Sequence, residues 1–345
     1  MKSITRALTG VLACTLAASV LAGCASGAPG GAGAGAPPAK IQLSIPDPLT
    51  SSVGVSAQHF ADQVKKTSNG SVTVTVVPNG TSFSGDQNAA VTRLQGGSLD
   101  ALILSTSVYA AVVPEMNAIS IPYLFKDTTE EAAFLAGKPG QALKEKLAAK
   151  DTVALSFLTR TGREITNSVR PIEQPSDLKG LKIRVPGNPL WTDYFSKLGA
   201  SPTTMAFSEV FTGLQTGTIN GQENPIEVPW TNKFSEVQKF VSLTNHINDA
   251  WVLALSSKKW DTLTDDQKKA LTDASAETAT FKTGYDAEQS KKQLEELAAK
   301  GMKSNELSAS GLEEFKAVSK SLYPTFSQLI GKDFFDQAVA FTTTK

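Results

Sequence analysis

Lys182-Ile183-Arg184-Val185 holds the residue with the clearest chemical capacity in this sequence. Side chains of an extended strand alternate between faces, so Ile183 and Val185 share one side and Lys182 and Arg184 the other. Arg184 stands at the carboxyl end of that run, just before Pro186-Gly187-Asn188-Pro189. Open α/β sheets bind ligands beyond the carboxyl ends of their strands. A guanidinium offers a planar fork of N–H donors that meets a carboxylate in two charge-assisted hydrogen bonds, so the expected chemistry is recognition of an anion. The alternative is a solvated strand residue, and Arg163 carries the same ambiguity. Arg160 and Arg170 read as surface or interlobe charges. Trp191 follows the turn after Arg184; it either lines a cleft, stacking on a sugar acid or aromatic acid, or fills a helix core. Trp230 and Trp251 read as core residues, although Trp251 opens a strand that could face a cleft.

Catalysis finds little support. His59 and His246 are the only histidines, and neither has a partner at metal-ligand spacing. Each reads as a surface residue or as a support behind a site. No Gly-x-Ser-x-Gly elbow, His-Glu-x-x-His helix or phosphate-cradling glycine loop occurs. A hydrolase built on carboxylates alone stays open, because acidic pairs cannot be located without a fold. No cofactor or metal site is expected.

The ends bound the rest. Lys2 and Arg6 precede an uncharged, largely apolar run over residues 7–21, then Leu21-Ala22-Gly23-Cys24. A basic start, a short apolar run and small residues describe a secretory signal, too short to span a bilayer comfortably. Residues 25–39 are almost wholly Ala, Gly, Ser and Pro, a flexible tether. Cys14 lies inside the signal and Cys24 at its end, so the remaining domain has no thiol for a disulfide or thiolate metal site. The chain carries 33 basic and 33 acidic residues, and loss of Lys2 and Arg6 leaves 31 against 33. That balance gives no reason to expect a nucleic acid partner.

The elements that must position Arg184 are legible from periodicity. Ile41, Leu43 and Ile45 alternate as a strand, Val53, Val55, Phe60 and Val64 share a helix face, and Val72, Val74 and Val76 alternate again. Strand, helix and strand at this spacing read as a parallel unit. A helix around residues 87–95 then leads to an apolar strand over 101–104. Near Arg163 the plan repeats: Leu94-Gln95-Gly96-Gly97-Ser98-Leu99-Asp100 is echoed by Leu214-Gln215-Thr216-Gly217-Thr218-Ile219-Asn220, each a helix end, a glycine and entry to a strand. The echo favours two similarly built lobes. Thr264-Asp265-Asp266-Gln267 is a capping box, and a helix of about 36 residues from there would be about 54 Å long. It either forms a spine along both lobes or breaks near Gly284. The expected fold is α/β and two-lobed, like a type II periplasmic binding protein. The lobes are expected at 40–160 with 250–289, and at 161–249 with 290–345.

Arg163, the run Leu181-Lys182-Ile183-Arg184-Val185-Pro186, Leu198-Gly199-Ala200-Ser201-Pro202, Met205-Ala206-Phe207-Ser208-Glu209-Val210, and Gly221-Gln222-Glu223-Asn224-Pro225 closely resemble the solute-binding proteins of TRAP transporters, the tripartite ATP-independent periplasmic uptake systems. Weaker likeness reaches Leu94 through Asp100 and Ile121-Pro122-Tyr123. The resemblance implies capture of an organic carboxylate between lobes that close on it, then delivery to membrane permease subunits. It implies that Arg184 is the main carboxylate clamp, that Arg163 assists, that Asn224 hydrogen-bonds the ligand and that Phe207 packs on its carbon skeleton. Small residues leading into Cys24 resemble a bacterial lipoprotein signal, with Cys24 lipidated and the mature protein held on a membrane. Relatives that bind sialic acid have an acidic residue where this chain has Ser105 and asparagine where it has Gly187, which argues against sialic acid. A ligand sensor reporting to a membrane receptor is the alternative of the same fold.

Overall fold

The computed structural model describes residues 37–343. The expected signal, Cys24 and most of the tether lie outside the described residues. No described helix is long and apolar enough to cross a membrane.

In chain order the strands are β1 (Ala39–Ser44), β2 (Val72–Val77), β3 (Ala101–Ser105), β4 (Thr152–Thr159), β5 (Glu164–Asn167) and β6 (Lys182–Val185). Then come β7 (Ser201–Thr204), β8 (Gly221–Asn224), β9 (Phe240–Leu243), β10 (Ala250–Ser256) and β11 (Lys303–Glu306). They form two sheets, ordered β2-β1-β3-β10-β4 and β11-β9-β5-β8-β6-β7, one for each lobe. β1 runs parallel to β2 and β3, and β10 antiparallel to β3 and β4. In the second sheet β6 lies parallel between β7 and β8, with Arg184 opposite Thr203 and Gln222.

The repeated glycine signal has a physical basis in both lobes. The helix Gln87–Gly96 is capped by Gly97 at φ 77°, and the helix Val210–Thr216 by Gly217 at φ 74°. Glycine enters that left-handed region without steric cost. Each helix end is therefore followed within a few residues by a central strand, β3 or β8, that ends at the cleft. The helix after β6, Pro189–Lys197, starts at Asn188, whose side chain accepts from Leu190 N, as an N-cap should.

The chain passes between the sheets at residues 160–163 and again at 244–249, and the two crossings run side by side. Arg160 N donates to Asp249 O, Arg163 N to Ile247 O, and His246 N to Arg163 O. The third link is the helix Asp265–Ala299, unbroken at Gly284. Thr264 and Gln267 form the expected reciprocal cap. At its start Gln267 donates to Ser71 O beside β2; further along Ser275 meets Ser156 of β4; near its end Glu296 accepts from Trp230 Nε1 at 2.6 Å. It is thus the spine of both lobes, about 52 Å long at the standard rise.

Residues 323–343 fall in the range expected for the second lobe. They pack instead on the helical layer beside the first sheet. Phe134 of the helix Thr128–Ala136 meets Phe334 and Phe341 edge-on, and Phe326 and Ile330 share a core with Met116 and Ile119. The helix Ala309–Ser321 spans the gap. Phe315 O faces the Tyr194 hydroxyl at 3.5 Å, and Ser319 Oγ donates to Pro122 O at 2.7 Å. The C-terminal chain is therefore a second strap between the lobes.

Candidate functional site

A cavity with an empty volume of about 430 Å³, partly open to solvent, lies between the two sheets. The first lobe lines it with Asp47 after β1, Gln87, Ser105, Ser107 and Trp251; the second contributes Arg184, Phe207, Asn224 and Val228. Arg160 and Arg163 enter from the first crossing. A further space beside it, reached past Arg184, Pro186 and Phe207, extends toward Asp86, Asn88 and Thr204.

Arg184 is only 6% exposed. Its Nε and one terminal nitrogen donate to Met205 O at 3.2 and 3.0 Å. That carbonyl holds the guanidinium in place without neutralising it, and its other N–H groups remain for a guest. Among the described residues no carboxylate lies within ion-pair distance of it. Burial pushes its pKa down to about 10, with Glu223 opposing the shift and Arg163 adding to it. A buried cation without a counter-ion is costly, and a carboxylate placed against it would relieve that cost. The ring of Phe207 has its centroid 5.8 Å from the guanidinium carbon, a cation–π contact.

Arg163 is differently placed. Glu223 receives its Nε at 2.5 Å and a terminal nitrogen at 2.8 Å, and Asp249 receives the other at 2.9 Å. The Asn224 side-chain oxygen takes a further bond at 3.0 Å, while the Asn224 amide donates to Gln222 at 2.7 Å. Asn224 is thereby held with one N–H free beside the cavity. Desolvation would raise Glu223, but Arg163 and His246 hold it down at about 2. His246 is fully buried, bonded to Thr244 Oγ1 at 2.8 Å and Glu223 at 3.2 Å. It stands behind Glu223 as a support; His59 stacks on Phe281 and touches Glu277 outside the site.

Of the two places open to each, Trp191 takes the core and Trp251 the cavity wall. Trp191 is 0% exposed and does not line the cavity; its ring centroid lies 5.8 Å from the Arg163 guanidinium, beneath it. The helix carrying it begins with Pro189 and turns that face into the core. Trp251 lines the cavity, with the Arg160 guanidinium 4.4 Å from its ring centroid. Arg160 is buried between Glu227 and Asp249, each at 3.2 Å, so it is an interlobe charge and not a surface one. Arg170 donates to the carbonyls of Asp177 and Lys179 at 2.7 Å, away from the cavity.

Asp47, Glu223, Glu227 and Asp249 were missed because their partners lie far away in sequence. A buried arginine needs a counter-ion, and that was the one signal available, but it names no particular acid. Among the described residues no group of three or more His, Cys, Asp or Glu is placed to hold a metal ion.

Two buried acids make stability depend on pH. Burial pushes Asp47 up to about 7, Glu227 adding and Arg160 opposing, and pushes Glu164 up to about 8 against its bonds from Asn245 and Thr244. A folded-state pKa above the unfolded one stabilises below the unfolded value and loses that contribution as pH rises through the folded value. The melting temperature of the ligand-free protein is therefore expected to fall between about pH 4 and pH 8 and to level off above that. Glu164→Gln should flatten that fall in a thermal series; an identical slope in the variant would refute the assignment.

An α/β clamp of two sheets, joined by paired crossings and a spine helix, with a buried uncompensated guanidinium in its cleft, is the architecture of an extracytoplasmic solute-binding protein. Residues 46–329 match the family model for bacterial extracellular solute-binding proteins, family 7 (DctP). The chain belongs to this family, the solute-binding proteins of TRAP transporters. It is 34% identical over 253 residues to the 2,3-diketo-L-gulonate-binding periplasmic protein YiaO of Escherichia coli (strain K12), covering 73% of this chain and 76% of that protein. It is 30% identical over 282 residues to the C4-dicarboxylate-binding periplasmic protein DctP of Rhodobacter capsulatus, covering 81% and 84%. The sugar acid binding protein DctPAm from Advenella mimigardefordensis strain DPN7T, solved in complex with galactonate, superposes with a TM-score of 0.85 at 30% identity, covering 89% of this chain and 98% of that one.

Proposed function

We propose that this protein captures an organic carboxylate in the cleft between its lobes, on Arg184, and presents it to TRAP permease subunits without turning it over. One observation carries the reading: Arg184 is a buried, positioned guanidinium that lines the cavity and, among the described residues, is hydrogen-bonded to a carbonyl and paired with no carboxylate. Asn224 adds a hydrogen-bond donor, Phe207 a face for the carbon skeleton, and Arg163 holds Asn224 in position. Carboxylates bound by the relatives, diketogulonate, C4-dicarboxylates and galactonate, support an acid as the ligand. Closure is favoured because groups of both lobes line the cavity, so a ligand touching both binds the closed form better. Lipidation at Cys24, which would hold the protein on the outer side of a membrane, fits the sequence Leu21-Ala22-Gly23-Cys24. Titrating the purified protein with sugar acids, C4-dicarboxylates and their neutral amides should give heat and thermal stabilisation with the acids alone. Equal binding of the amides would rule out the guanidinium clamp.

A further inference from the structure

We infer that the cavity is built for a hydroxylated monocarboxylate in preference to a dicarboxylate, and that Asp47 is the residue that reads a ligand hydroxyl. The inference rests on the carboxylate site proposed above and narrows it. Three guanidinium groups line the cavity, but two are already spent. Arg160 is paired with Glu227 and Asp249, and Arg163 with Glu223 and Asp249. Arg184 alone keeps a positive charge for a guest, so the cavity compensates one negative charge.

What faces the rest of the guest carries no second cation. Gln87, Ser105 and Ser107 offer amide and hydroxyl groups, and the buried indole N–H of Trp251 has no partner among the described residues. Asp47 lines the same space, is 4% exposed, and has one carboxyl oxygen buried without a hydrogen bond. The charged groups that act on it are Glu227, from the short helix after β8, and Arg160, from the first crossing. A second carboxylate placed there would meet Asp47 with no spare counter-charge, since Arg160 is already paired with Glu227 and Asp249, and like charges in a water-poor site repel strongly. A hydroxyl is suited to the place. It donates to Asp47 when that group is ionised and accepts from it when protonated, and with its carboxyl pushed up to about 7 both forms are populated near neutral pH.

The test is calorimetric titration of the purified protein at pH 7.5 with galactonate, succinate and hexanoate. These are a hydroxylated monoanion, a dianion and a monoanion without hydroxyls. Galactonate is expected to bind about tenfold or more tighter than either of the others. Asp47→Leu, and Asp47→Asn as a smaller change should the first fold poorly, are expected to lower the ratio of galactonate to succinate affinity by about tenfold. Succinate binding as tightly as galactonate to the wild-type protein would overturn the monoanion inference while leaving the carboxylate site standing. An unchanged ratio in both variants would remove Asp47 from the reading. Binding of no acid at all would sink the proposed function itself, and this inference with it.

Discussion

Arg184→Ala is expected to weaken acid binding by about 100-fold or more while the fold survives intact. The guanidinium is held at the end of β6 by Met205 O and has no carboxylate partner among the described residues. Its removal takes away the one charge available to the ligand and leaves no protein acid orphaned. The ligand-free variant should melt at or above the wild-type temperature, because a buried cation with a depressed pKa is itself a cost. Arg184→Lys should fall between the two, since an ammonium keeps the charge but lacks the planar fork. Calorimetry and thermal melting of the same three samples separate these effects. A variant that binds acids normally would place the anion elsewhere, and one that melts far below wild type would make Arg184 a structural residue.

Arg163→Ala is expected to behave in the opposite way, losing about 3–5 kcal/mol of stability before any question of binding arises. Its guanidinium is enclosed by Glu223, Asp249 and the Asn224 side chain, and both acids are fully buried. Truncation would leave Glu223 with only the neighbouring His246, whose own pKa burial depresses. Urea unfolding of the wild type, Arg163→Ala and the double variant Arg163→Met with Glu223→Gln checks this, and the double variant should recover part of the loss. A fully stable Arg163→Ala protein would contradict the network. The two arginines that resemblance places together as clamp and helper are thus divided by their surroundings, one open to a ligand and one consumed by the protein.

That division marks where the sequence stops being informative. Local features were readable because their causes are local. The Thr264 and Gln267 cap, the glycines at 97 and 217 in left-handed backbone, and the alternation that puts Arg184 beside Lys182 all depend on a few neighbouring residues. The family runs around Arg184 and Asn224 likewise sit on β6 and β8 at one cavity. Neutralisation of Arg163 by Glu223 and Asp249 joins positions 60 and 86 residues apart, and no periodicity reports such a pair. Trp191 and Trp251 were harder still. Each has an apolar ring suited to a core or a ligand, and only the rotation of the helix and the placement of β10 decide which. The C-terminal helices carry amphipathic patterns that say they pack, without saying on which lobe.

The buried ions also make the site a junction as well as a receptor. Arg160 ties the first crossing to Glu227 of the second lobe and to Asp249 of the second crossing. Nearby, buried Lys282 of the spine helix meets Asp286 and the carbonyl of Thr159, and Asp286 meets Ser52. A carboxylate on Arg184 would therefore sit in the same cavity as groups that already link the lobes.

The central claim, that a ligand carboxylate sits on Arg184, is tested most directly by a crystal structure of the protein with galactonate bound. The account predicts both carboxylate oxygens within hydrogen-bond distance of the Arg184 guanidinium, with Asn224 beside them and the sugar chain extending toward Asp47. A carboxylate bound away from Arg184, or a ligand lying outside the space between the two sheets, would contradict it.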